Sequence, residues 1–267
     1  LFTADRPRTN DWHSDEVFDL AWGHYAARWG DYRDGNHWFC HYGREQAVDL
    51  AEHRRDICFV KNSYWVISDR LVAEGQHDYA QLFHLDPGRS VETAVPGRAR
   101  TTDAGRANIA IVQADPVTAQ VVAGCEKPVA GWIARGGFEK EAAPELRFEQ
   151  RTLNQAHYDT VLLPLDIGQA PDVEVTRLAA MDVDSNPIAV TDLCALRIRT
   201  PHGMDYYLND LRQQDIGPIN GSVKIAGPVR TDARAAVVRL DAQGTVTSVS
   251  ATGASLVELD GRTIWPR

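Results

Sequence analysis

The sequence predicts an all-β fold: a large antiparallel β-sandwich, supersandwich-like in extent, followed by a smaller C-terminal β-sheet portion. Three observations point there. Short runs of β-branched and aromatic residues recur along the chain, and turn formers such as Asp86-Pro87-Gly88, Pro201-His202-Gly203 and Asp260-Gly261 separate them. Long amphipathic helical patterns are nearly absent. With 267 residues, 43% hydrophobic and 24% charged, the chain has enough apolar material for one large or two smaller β domains with buried cores.

The elements follow in order. Residues 43–53 (GREQAVDLAEH) form the best helical candidate, short and equally able to lead straight into a strand. Residues 56–69 (DICFVKNSYWVISD) read as strand, turn at Lys61-Asn62-Ser63, strand. Residues 77–85, 108–112 and 117–122 read as further strands, and 131–144 (GWIARGGFEKEAAP) as a Gly- and Ala-rich loop crossing between layers. Strands resume at 146–148, 158–165, 173–178, 188–190, 193–199, 205–208, 235–240, 245–249 and 255–259. The runs at 193–199 and 235–240 come close to the two-residue alternation of a sheet with one wet face. A boundary near Pro144 divides the chain into a main sandwich portion, 1–143, and a C-terminal portion, 144–267.

Charge and composition remove several function classes. The net charge is −9 with no basic stripe, so nucleic acid is not an expected partner. No apolar run approaches the ~20 residues of a spanning helix, and no membrane partner is expected. Cys40, Cys58, Cys125 and Cys194 are scattered with no CxxC pair, which argues against a zinc ribbon or thioredoxin-type site. One or two disulfides stay open, with buried free thiols favoured. No GxSxG elbow or phosphate-binding glycine loop is present. The opening LFTADRPRTNDWH has no initiator methionine and reads as internal sequence.

A set of strings in order carries a resemblance. Trp12, Phe18-Asp19, Gly23 and Tyr25 are followed by His53-Arg54-Arg55, FVKNSYWVISDRL, His77, Tyr79 and FHLDPG. GWIARGGFEKEAAPELRF, TVLLPL, TPHGMDYYL, TDARAAVVRLDAQG and GASLVELDG come after them. Together they resemble the C-terminal region of the heparinase II/III-like polysaccharide lyases, which include heparin, heparan and alginate lyases. The resemblance implies an N-terminal α/α toroid as partner domain or chain, a C-terminal antiparallel sandwich, and β-elimination on acidic, uronic-acid polysaccharides. It also implies a bacterial periplasmic or secreted enzyme. Elimination needs a neutraliser for the carboxylate, a base for the C5 proton and an acid for the leaving oxygen. In the family, Asn or His with Tyr fill those roles, and a structural zinc takes two His and one Asp. Neither an HxHxD-like string nor the family's His-Asn-Thr string is found here. No catalytic or metal residue is therefore assigned to this chain; both sets are expected upstream, and zinc in the full-length enzyme.

The candidate substrate-binding residues are His53, Arg54, Arg55, Trp22 and Trp38. An Arg can clamp a uronate carboxylate through two parallel hydrogen bonds. The competing reading pairs these arginines with Asp49, Glu52 or Asp56, and it is favoured because exposed charge clusters rarely carry a role. The aromatic-rich first third (Trp12, Trp22, Tyr25, Trp29, Tyr32, Trp38, Phe39, Tyr42) suits either glycan stacking or, more strongly, packing in a core or against another domain. His37 and His41 lie four apart, but Asp34-Gly35-Asn36 and Gly43 favour a loop, so no metal site is read. His77, His84, His157 and His202 each stand alone. The leading expectation is a sandwich portion of a lyase that is inactive in isolation. The alternative is a non-catalytic carbohydrate-binding or structural module. A glycoside hydrolase has no carboxylate pair that spacing can identify.

Overall fold

The computed structural model describes residues 9–29, 48–136, 139–212 and 222–266. Those residues form strands and turns and no helix, as the sequence predicts. Every strand pairing is antiparallel.

The first half of the chain builds one large sheet. Its strands are β1 (Thr9–Ser14), β2 (Phe18–Trp29), β3 (Val48–Val60), β4 (Tyr64–His84), β5 (Val91–Val95), β6 (Arg98–Thr101), β7 (Asn108–Gln113) and β8 (Thr118–Val122). Two small hairpins, β9 (Cys125–Glu126) with β10 (Val129–Ala130) and β11 (Trp132–Gly136) with β12 (Glu139–Ala142), precede the 21-residue β13 (Glu145–Leu165). The order is β1-β2-β3-β4-β13-β7-β6-β5, with β8 also paired to β13. The line at 143/144 falls just before β13, and the chain leaves this sheet only after Leu165.

Two five-stranded sheets follow. The middle sheet runs β14 (Glu174–Arg177), β16 (Leu193–Thr200), β17 (Gly203–Asp210), β20 (Ala235–Leu240), β21 (Val246–Thr252). The end sheet runs β15 (Ala180–Asp182), β18 (Lys224–Ala226), β19 (Val229–Thr231), β22 (Val257–Leu259), β23 (Arg262–Trp265). Side-chain alternation stacks the three sheets. Cys194, Leu196 and Ile198 join Phe18, Leu20, Cys58, Val66 and Val161 in the core between the large and middle sheets. Leu193 and Ala195, one step out of phase, join Val229, Val257 and Leu259 in the core between the middle and end sheets. Each fully buried Leu, Ile or Phe stabilises this arrangement by about 1.5–3 kcal/mol. Cys58 and Cys194 are buried free thiols, with Cys58 pushed well above the ordinary thiol range by burial.

Three expectations are corrected. Residues 48–53 are strand, not helix: β3 is paired with β2 on one side and β4 on the other, and two full ladders override a short helical pattern. The supposed loop at 131–144 contains the β11–β12 hairpin, whose mostly exposed residues leave no apolar alternation to read. Residues 188–190 are no strand; the neighbouring Pro187 makes a single bridge to Met181. The hairpin at 61–63 is found as read, with Asn62 in the left-handed region at φ 59°. The predicted strands at 146–148 and 158–165 are two ends of one strand, β13, whose middle is polar.

The large sheet does not lie flat. Twelve residues of straight strand would span roughly 40 Å, yet Gln81 Nε2 donates to Asp69 Oδ2 of the same strand at 2.8 Å. β4 therefore doubles back over the outer face of the sheet. The register breaks where Asn154 on β13 (φ 66°) accepts a bond from the amide of Gly75 on β4 (φ 95°). Tyr79, Phe148, Tyr158 and Ile111 form a third core beneath the folded arm. Tyr158 Oη ties it down by donating to the Tyr79 carbonyl at 2.8 Å.

Candidate functional site

Strand alternation splits the His53-Arg54-Arg55 triplet between two faces of the large sheet. Arg54 faces inward. Its Nε donates to Asp56 Oδ1 at 2.8 Å, and its Nη1 donates to the Leu211 carbonyl beside the middle sheet. His53 and Arg55 face outward and converge on Asp69, which lies directly opposite Arg55 in the β3–β4 ladder. The pairing with Asp56 is one that the competing sequence reading anticipated; the pairing with Asp69 is not.

Asp69 is 2% exposed and accepts four hydrogen bonds. His53 Nε2 lies at 2.7 Å, Arg55 Nε and Nη2 at 2.6 and 2.9 Å, and Gln81 Nε2 at 2.8 Å. Burial works to raise its pKa, but the bonds and charges of His53 and Arg55 overcome that and hold the carboxyl below its usual range. Behind it, Gln81 Oε1 accepts from Gln113 Nε2 at 2.7 Å and from Thr160 Oγ1 at 2.8 Å. The carboxylate is thus fixed from below by a buried amide relay, and it fixes an Arg and a His above.

The same face carries exposed apolar residues. Trp12 on β1, Ala21 on β2, Ile57 on β3 and Ile67 on β4 are successive partners across four strands. Trp12 is 67% exposed and Ile57 39%. On the next row Phe59 and Trp65 stack at 4.5 Å.

Trp22 sits elsewhere. It is 4% exposed within the core between the large and middle sheets, with the Arg234 guanidinium 4.8 Å from its ring centre. Its role as an exposed sugar platform is therefore corrected: burial leaves the indole no face for a ligand. Trp22→Phe is expected to lower stability by about 1–2 kcal/mol, through lost ring area and a weaker cation–π contact, without changing any glycan binding. Urea unfolding of the variant checks this. Trp38 and the His37/His41 pair lie outside the described residues. Among the other histidines, His77 bonds the Glu74 carbonyl, while His84 pairs with Glu145 and His157 with Asp115.

Among the described residues, no group of three or more His, Cys, Asp or Glu side chains is arranged to hold a metal ion. The zinc that the resemblance implies finds no ligand set among them, and no chemistry here is routed through one. Among the described residues, no helix is long and apolar enough to cross a membrane.

Residues 27–157 match the family model described as Heparinase II/III-like, C-terminal. No curated protein sequence matches the chain. Among solved structures it is similar to a mutant of the heparan sulfate lyase HepC from Pedobacter heparinus, with 16% identity and a TM-score of 0.55 over 77% of this chain and 28% of that one. Unmutated HepC gives 15% identity and a TM-score of 0.51 over 72% and 26%. A heparinase III structure gives 14% and 0.50 over 77% and 27%. Such identities speak to fold alone, and the chain spans little more than a quarter of the length of these relatives. Sequence match and layered architecture agree: residues 27–157 match the heparinase II/III-like C-terminal family, and the chain folds as an all-β sandwich.

Proposed function

We propose that this chain forms the C-terminal β-sandwich of a polysaccharide lyase that cleaves uronic-acid-containing glycans by β-elimination. The family match over 27–157 carries the reading. The greater length of the lyase chains that share the fold supports a partner domain. In this reading an α/α toroid supplies the catalytic Asn or His and Tyr, along with the structural zinc. The sandwich buttresses the toroid and walls one side of the glycan cleft. The enzyme works in the bacterial periplasm or outside the cell, on heparan-type glycosaminoglycans or alginate.

The test is an assay for unsaturated uronate on alginate, heparan sulfate and hyaluronan. The 267-residue chain alone is expected to give no product, and a longer polypeptide that carries it as its C-terminal region to give product on at least one glycan. Product from the short chain would overturn the placing of catalysis elsewhere. A folded longer polypeptide inactive on every uronate glycan would overturn the lyase reading.

A further inference from the structure

We propose that Arg55 and His53, pinned by Asp69 beside the exposed Trp12–Ala21–Ile57 strip, form a receptor for the acidic groups of a saccharide lying across the outer face of the large sheet. The choice of a saccharide rests on the lyase reading; the anion receptor itself does not.

Four features of the face converge. First, Arg55 is 43% exposed at its side chain yet held in a fixed plane, because Asp69 takes both Nε and Nη2. No hydrogen bond of its Nη1 to a described residue is found, so that edge is presented outward with little rotamer freedom left to lose on binding. Second, one buried carboxylate serves two basic side chains, Arg55 and His53, so the guanidinium of Arg55 does not have Asp69 to itself. A guanidinium fixed in this way stands out on a chain whose net charge is −9. Third, Gly23 is the register partner of Arg55 on β2, and it places no side chain of its own beside the guanidinium. Fourth, the apolar strip lies one pair step along the strands, roughly 7 Å away, with Trp12 two strands across at roughly 10 Å. A flexible surface Arg would not present this arrangement. A saccharide has apolar C–H faces for the Trp12 ring and Ile57, and a carboxylate or sulfate for the cation. Asp69 and Gln81 act here as positioning residues, since both are buried behind the cation.

Titration calorimetry of the full chain with three tetrasaccharides tests this: an unsulfated uronate-containing heparosan fragment, a sulfated heparin fragment, and neutral cellotetraose. Acidic probes are expected to bind at least about tenfold more tightly than the neutral one, and Arg55→Gln to lower that affinity about tenfold or more. Binding of both acidic probes marks the carboxylate as sufficient; binding of the heparin fragment alone marks sulfate as the group read. Trp12→Ala, at a residue too exposed to disturb folding, is expected to weaken binding several-fold. Arg230→Gln, at an exposed arginine of the end sheet, is expected to leave it unchanged. Failure of both acidic probes to bind, equal affinity for cellotetraose, or unchanged binding in folded Arg55→Gln and Trp12→Ala variants would each overturn the proposal. Lyase turnover by the longer polypeptide with a KM indifferent to Arg55→Gln would overturn this receptor and leave the lyase reading standing. Saccharide binding without turnover would do the reverse. Protection of β1 and β3 from hydrogen exchange in the longer polypeptide without saccharide would assign the face to a protein contact, and the receptor would fall.

Discussion

Asp56→Ala is expected to cost about 3–5 kcal/mol of folding stability, enough to unfold a marginal domain. Asp56 is 1% exposed on the inner face of β3, where it meets the middle sheet. Its Oδ2 accepts from Arg234 Nη2 at 2.8 Å and Asn209 Nδ2 at 3.1 Å, and its Oδ1 from Arg54 Nε at 2.8 Å. Burial would raise its pKa, but the two arginines overcome this and keep the carboxylate ionised below its ordinary range. Arg234 is fully buried, and Asp56 is the carboxylate it pairs with. Without Asp56 a guanidinium is stranded between two sheets, a far larger penalty than the loss of an exposed ion pair. Replacing Asp56 by Leu together with Arg234 by Met removes both charges and is expected to recover part of the loss. Urea midpoints of wild type, Asp56→Ala and the double variant decide the matter. A single variant within about 1 kcal/mol of wild type would mean that the interlayer charges relax to water, contrary to this account. The cluster bears on function because β3 carries both sets of residues. The strand whose inner face is fixed to the middle sheet through Arg54 and Asp56 displays His53 and Arg55 on its outer face.

How far this was legible differs from element to element. The Lys61-Asn62-Ser63 turn and the β-branched runs around it announce the β3–β4 hairpin without help from the rest of the chain. Once that turn is fixed, its register is arithmetic: Val60 opposite Tyr64 puts Arg55 opposite Asp69. The Asp69 site is thus readable from the hairpin alone, although Asp49, Glu52 and Asp56 lie nearer to the arginines in sequence. Alternation likewise separates Arg54 from Arg55. What no local pattern holds is the folding back of β4, which brings Gln81 to Asp69, or the arrival of Arg234 beside Asp56, 178 residues away. Trp22 shows the same limit. Its aromatic character fits a sugar platform and a core equally well, and only the packing of the middle sheet against β2 decides for the core. The helical pattern near 48–53 failed for a related reason, since ladders on both sides outweigh weak local propensity.

The second buried carboxylate, Asp159 on β13, leads to a prediction with a pH signature. Its side chain is fully buried and binds two arginines from different directions. Arg70 Nη1 and Nη2 of β4 lie at 3.0 Å, and Arg177 Nη1 of β14 in the middle sheet at 2.8 Å. Arg177 reaches on to Asp115 at 3.0 Å, so the ladder clamps β13 and β4 to the edge of the middle sheet. Asp159→Asn is expected to cost about 3–5 kcal/mol at neutral pH, because two guanidinium groups lose their shared charge partner. Burial opposes ionisation of Asp159, but Arg70 and Arg177 lower its pKa from 3.8 to about 2. A carboxyl depressed in the folded state stabilises the protein above its unfolded pKa, and that stabilisation disappears as pH falls through the folded value. Between neutral pH and about pH 2.5, the stability gap between wild type and Asp159→Asn should shrink by roughly 1.5 kcal/mol, and the full difference of roughly 2.5 kcal/mol is reached only well below pH 2. Other acids titrate there too, but they are common to both proteins and cancel in the difference. Urea unfolding of the pair at neutral pH and again near pH 2.5 measures the gap. A gap that stays constant would show that the Asp159 charge is not what holds Arg70 and Arg177, leaving shape and hydrogen bonding to account for the clamp.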